Sequence, residues 1–177
     1  MSNIAYIDGA NLHKGSLELG WKLDYRRFRV WLTEKYSIST ALIFIGKIPE
    51  YEDIYKNLED AGFSLSFKKV QKGIGGRIKG NCDGELIVAA MSDFYEKHLS
   101  RSILVTSDGD FACLAGFLHS RNALLSIISP RNSCSYCLRS LNVSLTYLDT
   151  QRKNLEYIPP DKEKAPCEDL PSQGSLS

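Results

Sequence analysis

The chain contains 177 residues, of which 43% are hydrophobic and 24% are charged, as is normal for a soluble globular domain. These proportions exclude a collagen-like, coiled-coil or wholly disordered protein, and no apolar run approaches the ~18 residues that a membrane span needs. The chain has 22 basic and 21 acidic residues, and the resulting net charge of +1 indicates no particular partner. The N-terminus lacks the basic and apolar segments of a secretory signal, so we expect a cytoplasmic protein without membrane contact.

Apolar runs and turn residues predict strands and helices in alternation. The predicted strands, five or six in number, lie at residues 3–7, 40–45, 63–70, 102–106, 123–128 and 143–148. Helices are predicted at residues 24–36, 50–61, 83–98, 111–120 and 133–141. Asp24 is the predicted N-cap of the first of these helices, and Gly62 is expected to end the second. This alternation favours a three-layer α/β fold with a mainly parallel sheet and helices on both faces.

Two segments stand outside this pattern. Residues 71–80 are rich in glycine and basic residues, which predicts a mobile loop. The segment 151–177 contains four of the six prolines and no periodic apolar pattern. We therefore expect a single domain over residues 1–150, followed by an extended or disordered tail.

Aspartates follow two of the predicted strands. Asp8 comes directly after the first strand, Asp108 and Asp110 follow the strand 102–106, and Asp83 begins a helix. In an open α/β sheet, ligands bind outside the carboxyl ends of the strands. If the strand order is 3-2-1-4-5, these carboxylates converge in one crevice, where their repulsion raises their pKa values or requires a cation such as Mg²⁺ or Mn²⁺. Each aspartate alone is equally well explained as a helix cap or a turn residue.

Three segments that contain these acids resemble a known family. YIDGANL (6–12), KGNCDGEL (79–86) and LVTSDGDF (104–111) are similar to the signatures of the NYN domain, and more closely to its bacterial LabA-like branch, within the PIN-like nuclease superfamily. The resemblance spans residues 3–148. It implies a Rossmann-like fold with strand order 3-2-1-4-5 and a metal-dependent ribonuclease that hydrolyses phosphodiester bonds with water.

The resemblance also implies roles for particular residues. The expected catalytic residues are Asp8, Asn11, Asp83, Asp108 and Asp110, and the four aspartates among them are the expected ligands of Mg²⁺ or Mn²⁺. Asp110 would instead orient the attacking water if it binds no ion, and Asn11 would fix a carboxylate or contact the scissile phosphate. The hydroxyl of Ser107 would line a phosphate site. Gly9 and Gly109 are expected to let the backbone approach the substrate closely.

A basic segment before Asp83 favours a nucleic-acid substrate. Its cations are Lys68, Lys69, Lys72, Arg77 and Lys79, with no acid among them. Such a segment beside an acidic metal crevice suits the phosphate backbone of RNA, which is the expected partner. The alternative is a solvated surface loop with no ligand.

One position departs from the family pattern and leaves a second function open. Many relatives carry a further acid one turn into the central helix, where this chain has Ala89, although Glu85 is kept and Asp93 follows one turn later. The number of metal ions therefore stays open, and a non-catalytic RNA-binding module on the same fold is the alternative function. A phosphatase or receiver-like domain would also place aspartates at strand ends. Here, however, the first strand is followed by Asp8-Gly9-Ala10 rather than DxD.

The remaining motifs carry weaker indications. Cys134 and Cys137 have metal-ligand spacing, but without a second pair or a nearby histidine they do not predict a zinc site. The odd number of cysteines and the lack of a secretory signal indicate mostly reduced thiols. The aromatic residues of the helix 24–36 form either a core face or the contact face of a homodimer.

Overall fold

A parallel sheet of six strands forms the centre of the computed structural model, which describes residues 1–69, 71–72, 78–79 and 82–159. Its strands are β1 (Ser2–Asp8), β2 (Ile38–Lys47), β3 (Ser64–Lys69), β4 (Leu99–Val105), β5 (Leu124–Ser129) and β6 (Leu145–Tyr147). They lie in the order 3-2-1-4-5-6, and every neighbouring pair is parallel. The predicted fold class and strand order are confirmed, with β6 added beside β5.

Helices connect the strands and cover both faces of the sheet. They are α1 (Gly9–Glu18), α2 (Tyr25–Tyr36), α3 (Glu52–Asp60), α4 (Asp83–Tyr95), α5 (Ala112–Ser120), α6 (Tyr136–Arg139) and α7 (Arg152–Leu155). Short 3-10 turns lie at Pro49–Tyr51, Gly109–Phe111 and Leu148–Gln151. As predicted, Asp24 caps α2, because its carboxylate accepts hydrogen bonds from the backbone N–H groups of Arg26 and Arg27 at 2.9 and 3.1 Å. Gly62 follows α3 with a φ of +92°.

The central strand β1 is buried on both faces, which explains its continuous apolar sequence. Ala5 and Ile7 belong to one core, together with Phe28 of α2. Ile4 and Tyr6 point to the opposite face and pack in a second core with Leu86 of α4 and Leu118 of α5. Because β1 lies between β2 and β4, its carboxyl end is surrounded by the loops that follow its two neighbours.

The folded part of the chain extends beyond the expected boundary at residue 150. Leu155 of α7 is fully buried in the core beneath α2. The backbone N–H of Asp24 donates to the carbonyl oxygen of Leu155 at 2.9 Å, and that of Tyr157 donates to the carbonyl oxygen of Lys22 at 2.8 Å. Residues 151–159 therefore belong to the domain rather than to an extended tail, while residues 160–177 lie outside the described part.

The basic segment is described only in part. Gln71–Lys72 pairs antiparallel with Ile78–Lys79, whereas residues 70, 73–77 and 80–81 lie outside the described residues. Within the ranges given above, none of the helices has both the length and the apolar character that crossing a bilayer requires.

Helix α1 is another element that the apolar pattern did not predict, and its packing shows why. Its buried residues are Gly9, Leu12 and Gly15, so a glycine surface rather than an apolar stripe faces the protein. A Cβ atom at Gly15 would lie 2.5 Å from both the carbonyl oxygen and the Cβ of Pro130. The loop after β5 therefore contacts the α1 backbone directly.

This contact predicts that alanine substitutions at two helical glycines change the free energy of unfolding in opposite directions. Gly15→Ala should lower the free energy of unfolding by about 1–3 kcal/mol, because the added methyl group overlaps Pro130. Gly84→Ala is the matched control, because no atom lies within 4 Å of a Cβ at that position in α4. It should stabilise the protein by about 0.5–1 kcal/mol through helix propensity. Urea denaturation of both variants tests this, and equal effects would contradict the packing of α1 on Pro130.

Candidate active site

The carboxyl ends of β1 and β4 are joined by side-chain hydrogen bonds. Ile7 and Val105 are paired residues of these parallel strands, so the next residues, Asp8 and Thr106, leave the sheet side by side. The hydroxyl of Thr106 donates to Oδ2 of Asp8 at 3.4 Å. The same hydroxyl accepts a hydrogen bond from the backbone N–H of Asp108 at 3.1 Å. Thr106 therefore holds both aspartate-bearing loops at one edge of the sheet.

Asn11 connects the same two loops from the first turn of α1. Its backbone N–H donates to Oδ1 of Asp8 at 3.0 Å, so Asp8 is the N-cap of this helix. Its side-chain Oδ1 accepts a hydrogen bond from the backbone N–H of Ser107 at 2.9 Å. The Nδ2 group has no hydrogen-bond partner among the described residues. Asn11 thus positions the loop after β4, and its amide N–H₂ group stays available for a ligand.

Asp8 carries a charge that its surroundings disfavour. Its pKa lies above the ordinary value, chiefly because burial penalises the ionised form. The charges of Asp83 and Asp108 raise this pKa further, while the hydrogen bonds from Asn11 and Thr106 lower it. Both acids are thus near enough to act on the charge of Asp8, which supports the predicted convergence of β1, β4 and α4.

The first turn of α4 adds further ionisable groups to this edge. Asp83 is the first residue of α4, and Glu85 forms an ion pair with Lys68 at 2.9 Å. The hydrogen bond between them raises the pKa of Lys68 and lowers that of Glu85. The pKa of the preceding Cys82 is raised by burial and by the charges of Glu85, Asp8 and Asp83. Neither Cys82 nor Glu85 was among the site residues predicted from the sequence.

Asp108 and Asp110 lie on the 3-10 turn that follows β4. The carboxylate of Asp108 accepts a hydrogen bond from the backbone N–H of Asp110 at 3.1 Å and so caps this turn. Both side chains are exposed to solvent. The turn therefore carries two solvent-exposed carboxylates beyond the end of β4, whereas Asp8 is partly buried.

Ser107 and two glycines make close contacts within the protein. Ser107 is 5% exposed, and its Oγ lies 2.9 Å from Oγ of Ser129, on the side away from solvent. A Cβ atom at Gly9 would lie 2.7 Å from the carbonyl oxygen of Phe44, and one at Gly109 would lie 2.5 Å from Oγ of Ser135. The close approaches at both glycines are to the protein itself, and their role toward a substrate stays a prediction.

Asp93 does not replace the acid that is missing at Ala89. Its Oδ2 accepts a hydrogen bond from the hydroxyl of the buried Tyr6 at 2.7 Å. Its Oδ1 lies 3.8 Å from Nδ1 of His98, the residue before β4 begins. Asp93 therefore lies toward the opposite edge of the sheet from Asp8.

The donors at this edge suit a hard cation by their chemistry. Asp8, Asp83 and Asp108 offer carboxylate oxygens, which Mg²⁺ and Mn²⁺ prefer, and a cation would relieve the repulsion that raises the pKa of Asp8. Across the described part of the chain, no three side chains of His, Cys, Asp or Glu lie as a group arranged to hold a metal ion. The edge thus has the ligand type for a metal site without a preassembled ligand set.

The predicted RNA contacts are described unevenly. Lys68 lies at the site through its ion pair with Glu85. For Lys69, Lys72 and Lys79 the structure describes the backbone alone, and Arg77 lies outside the described residues. The roles of these four residues stay predictions.

Comparison with known proteins identifies a family and a protein of similar fold. The model of the NYN domain family matches residues 3–148. No curated protein matches the chain. Among solved structures, the chain is similar to a protein of unknown function from Vibrio parahaemolyticus, with a TM-score of 0.69 and 22% identity, over 87% of this chain and 96% of that one. At this identity the similarity concerns the fold alone, and it agrees with the topology described above.

The raised pKa of Asp8 predicts that this residue destabilises the metal-free protein. Its pKa in the folded state exceeds the unfolded value of 3.8, so stability falls as the pH rises through the interval between the two. Asp8→Asn removes the charge and keeps a capping oxygen. In EDTA, thermal unfolding at pH 7 should therefore give a higher Tm for this variant, with the difference shrinking toward pH 4.

Asp60→Asn, at the exposed end of α3, is the control and should show no such pH dependence. A lower Tm for Asp8→Asn at pH 7 would contradict the electrostatic description of this edge.

Proposed function

The chain belongs to the NYN domain family, and from this premise we propose that it is a metal-dependent ribonuclease of the LabA-like branch. The family match indicates a PIN-like nuclease in general terms. The observation that carries the finer proposal is the hydrogen bond between Thr106 and Asp8, because it brings the aspartates that follow β1 and β4 to one crevice. The effect of Asp83 and Asp108 on the pKa of Asp8 supports the same grouping.

Asp8, Asp83 and Asp108 are the proposed ligands of Mg²⁺ or Mn²⁺. The bound ion would polarise a phosphoryl oxygen and offset the charge that develops during in-line displacement. Asp8 is oriented for this role by the hydrogen bonds from Asn11 and Thr106. Because an ionised carboxylate is needed for binding, the raised pKa of Asp8 makes metal affinity fall as the pH is lowered.

Two further residues act on the substrate in this proposal. Asp110 is exposed at the mouth of the crevice and would accept a proton from the attacking water. The free amide N–H₂ group of Asn11 would donate to a phosphate oxygen of the scissile bond. By the chemistry of the family, cleavage leaves a 5′-phosphate and a 3′-hydroxyl.

RNA is the proposed substrate because of the charges beside α4. Lys68, Lys69, Lys72, Arg77 and Lys79 precede this helix without an intervening acid. In the ion pair between Lys68 and Glu85, the Lys68 side chain is 38% exposed and the Glu85 side chain is 42% exposed. An exposed ion pair of this kind adds little to the stability of the fold. Lys68 can therefore exchange Glu85 for a phosphate at low cost.

A second function is favoured by two specific observations. Ala89 stands where many relatives have an acid, and the described residues hold no preassembled group of three metal ligands. Both fit an RNA-binding module that keeps the fold without cleavage. The four aspartates favour the nuclease, because negative charge beside a polyanion serves no purpose in simple binding.

Cleavage of labelled single-stranded and structured RNA in Mn²⁺, Mg²⁺ or EDTA separates these functions. We expect cleavage by the wild type only with metal, and a loss on the order of 100-fold or more in Asp8→Asn and Asp108→Asn. Asp93→Asn is the matched control, since it removes a carboxylate that is hydrogen-bonded to Tyr6 and lies away from Asp8. It should cleave normally.

Each other outcome has a defined meaning. Salt-sensitive RNA binding without cleavage would establish the binding module. Cleavage that survives EDTA or the Asp8→Asn substitution would overturn the metal-carboxylate mechanism.

The basic segment predicts a measurable change in the salt dependence of RNA binding. Lys72→Gln with Arg77→Gln should lower the slope of log Kd against log salt by about 1 for each phosphate contact removed. Fluorescence anisotropy in EDTA measures this slope without cleavage. Lys35→Gln is the control, because its ammonium group lies over the ring of Trp31, 4.8 Å from the centroid, on α2. An unchanged slope in the double variant would exclude the segment from the RNA contact.

A further inference from the structure

The end of the sheet where Asp8, Asp83 and Asp108 lie is the acidic edge. An apolar cavity of about 330 Å³ lies beside it. It is formed between α1, α3 and the end of β2, and its walls include Leu12, Ile43, Ile45 and Leu58. No part of the proposed phosphodiester hydrolysis uses this cavity. Its size falls within the range of small-molecule sites, and its walls are mostly hydrophobic, as such sites usually are.

The cavity and the acidic edge share the end of the same two strands. Gly9 lines the cavity and directly follows Asp8. In the parallel pair of β1 and β2, Asp8 lies opposite Phe44, whose neighbours Ile43 and Ile45 line the cavity. A ligand group inside the cavity is therefore separated from the carboxylates only by the first turn of α1.

The mouth of the cavity exposes apolar surface that the fold leaves uncovered. Tyr51 is 46% exposed and Ile54 is 45% exposed, and both line the cavity. Single exposed apolar side chains are ordinary, but these two stand one turn apart at the rim of an apolar opening, which is typical of a binding groove.

The back wall of the cavity is held in place before any ligand binds. The hydroxyl of the buried Tyr55 accepts a hydrogen bond from the backbone N–H of Ile48 and donates to the carbonyl oxygen of Gly46, both at 2.9 Å. These bonds fix the loop that follows β2. The ligand therefore meets a preformed wall, and its ordering cost is reduced.

Two polar groups of the lining remain open to a ligand. The ring of His13 and the hydroxyl of Tyr51 have no hydrogen-bond partner among the described residues, and both line the cavity. An apolar slot with aromatic and polar groups at its mouth matches a flat heteroaromatic ring that has apolar faces and hydrogen-bonding edges. A nucleobase has this chemistry.

We propose that the cavity binds one unpaired nucleobase of a single-stranded RNA whose phosphate lies at the acidic edge. The inference rests on the proposed function and names its substrate class. The base stacks on Tyr51 and His13 and packs on Ile54. A base inside a duplex is stacked on its neighbours and cannot enter, so the cavity selects single strands or unpaired loops.

The test compares short labelled oligoribonucleotides with strands of the same length that carry the sugar-phosphate backbone without bases. Binding is measured in EDTA by fluorescence anisotropy. The wild type should prefer the complete strand by about 5- to 100-fold, the range that stacking of one base supplies. Tyr51→Ala and Ile54→Ala should lose most of this preference and keep the affinity for the base-free strand and its salt dependence, because neither removes a cation.

The controls truncate exposed side chains that do not line the cavity. Leu17→Ala matches Ile54→Ala, and Tyr95→Ala matches Tyr51→Ala; the two side chains are 73% and 63% exposed. Both controls should keep the full preference for complete strands. A general loss of affinity through misfolding would reduce binding of the base-free strand as well, so the ratio of the two affinities isolates the cavity.

The outcomes separate this inference from the ribonuclease proposal. Loss of base preference in the two rim variants supports the cavity even where metal-dependent cleavage is absent, in which case the nuclease proposal alone fails. Cleavage that depends on Asp8, with equal wild-type affinity for complete and base-free strands, overturns the cavity and leaves the nuclease. A wild-type dimer that Tyr51→Ala dissociates during sedimentation overturns it too, because the cavity then holds a second copy of the chain.

Discussion

The buried carboxylate at the end of β1 is the constraint on which the site depends. Asp8 caps α1 and contacts the loop after β4, and in this position it loses part of its hydration. The hydrogen bonds from Asn11 and Thr106 lower its pKa by less than burial raises it, so the pKa stays above its ordinary value. The fold therefore keeps an ionisable group under electrostatic strain at the position where parallel strands of this order open a crevice. Such a group lowers stability, and the metal ion of the proposed function would offset its charge.

Close packing at two glycines positions the loops that carry Asp8 and Asp108. Gly9 brings α1 against the carbonyl oxygen of Phe44, and Gly109 brings the turn after β4 against Ser135. Ser107 ties the same turn to β5, because its hydroxyl also accepts a hydrogen bond from the backbone N–H of Arg131 at 3.2 Å. The loops that carry Asp8 and Asp108 are thus held by packing and hydrogen bonds to neighbouring parts of the protein.

Features that depend on local pattern could be predicted from sequence, and those that depend on distant contacts could not. The apolar strands and the cap at Asp24 follow from local rules, and they are confirmed. Helix α1 was not predicted because glycines form much of its buried surface. The contact with Pro130 that requires Gly15 joins distant parts of the chain, so no local sequence pattern indicates it. The burial of Leu155 beneath α2 likewise has no local signal, since polar residues precede it and Pro159 and Pro160 follow shortly after it.

The two faces at the end of β1 divide recognition between unlike forces. In the proposed function, charge on the side of α4 would act on a phosphate backbone that is the same at every nucleotide, so this side would supply affinity without sequence preference. On the side of α3, the apolar cavity would contact the face and the edges of a base, which differ from base to base, and such contacts would weaken little with salt. Because the first turn of α1 lies between the two sides, a base held in the cavity would determine which phosphate reaches Asp8. Selectivity and position of cleavage would then have a single structural origin.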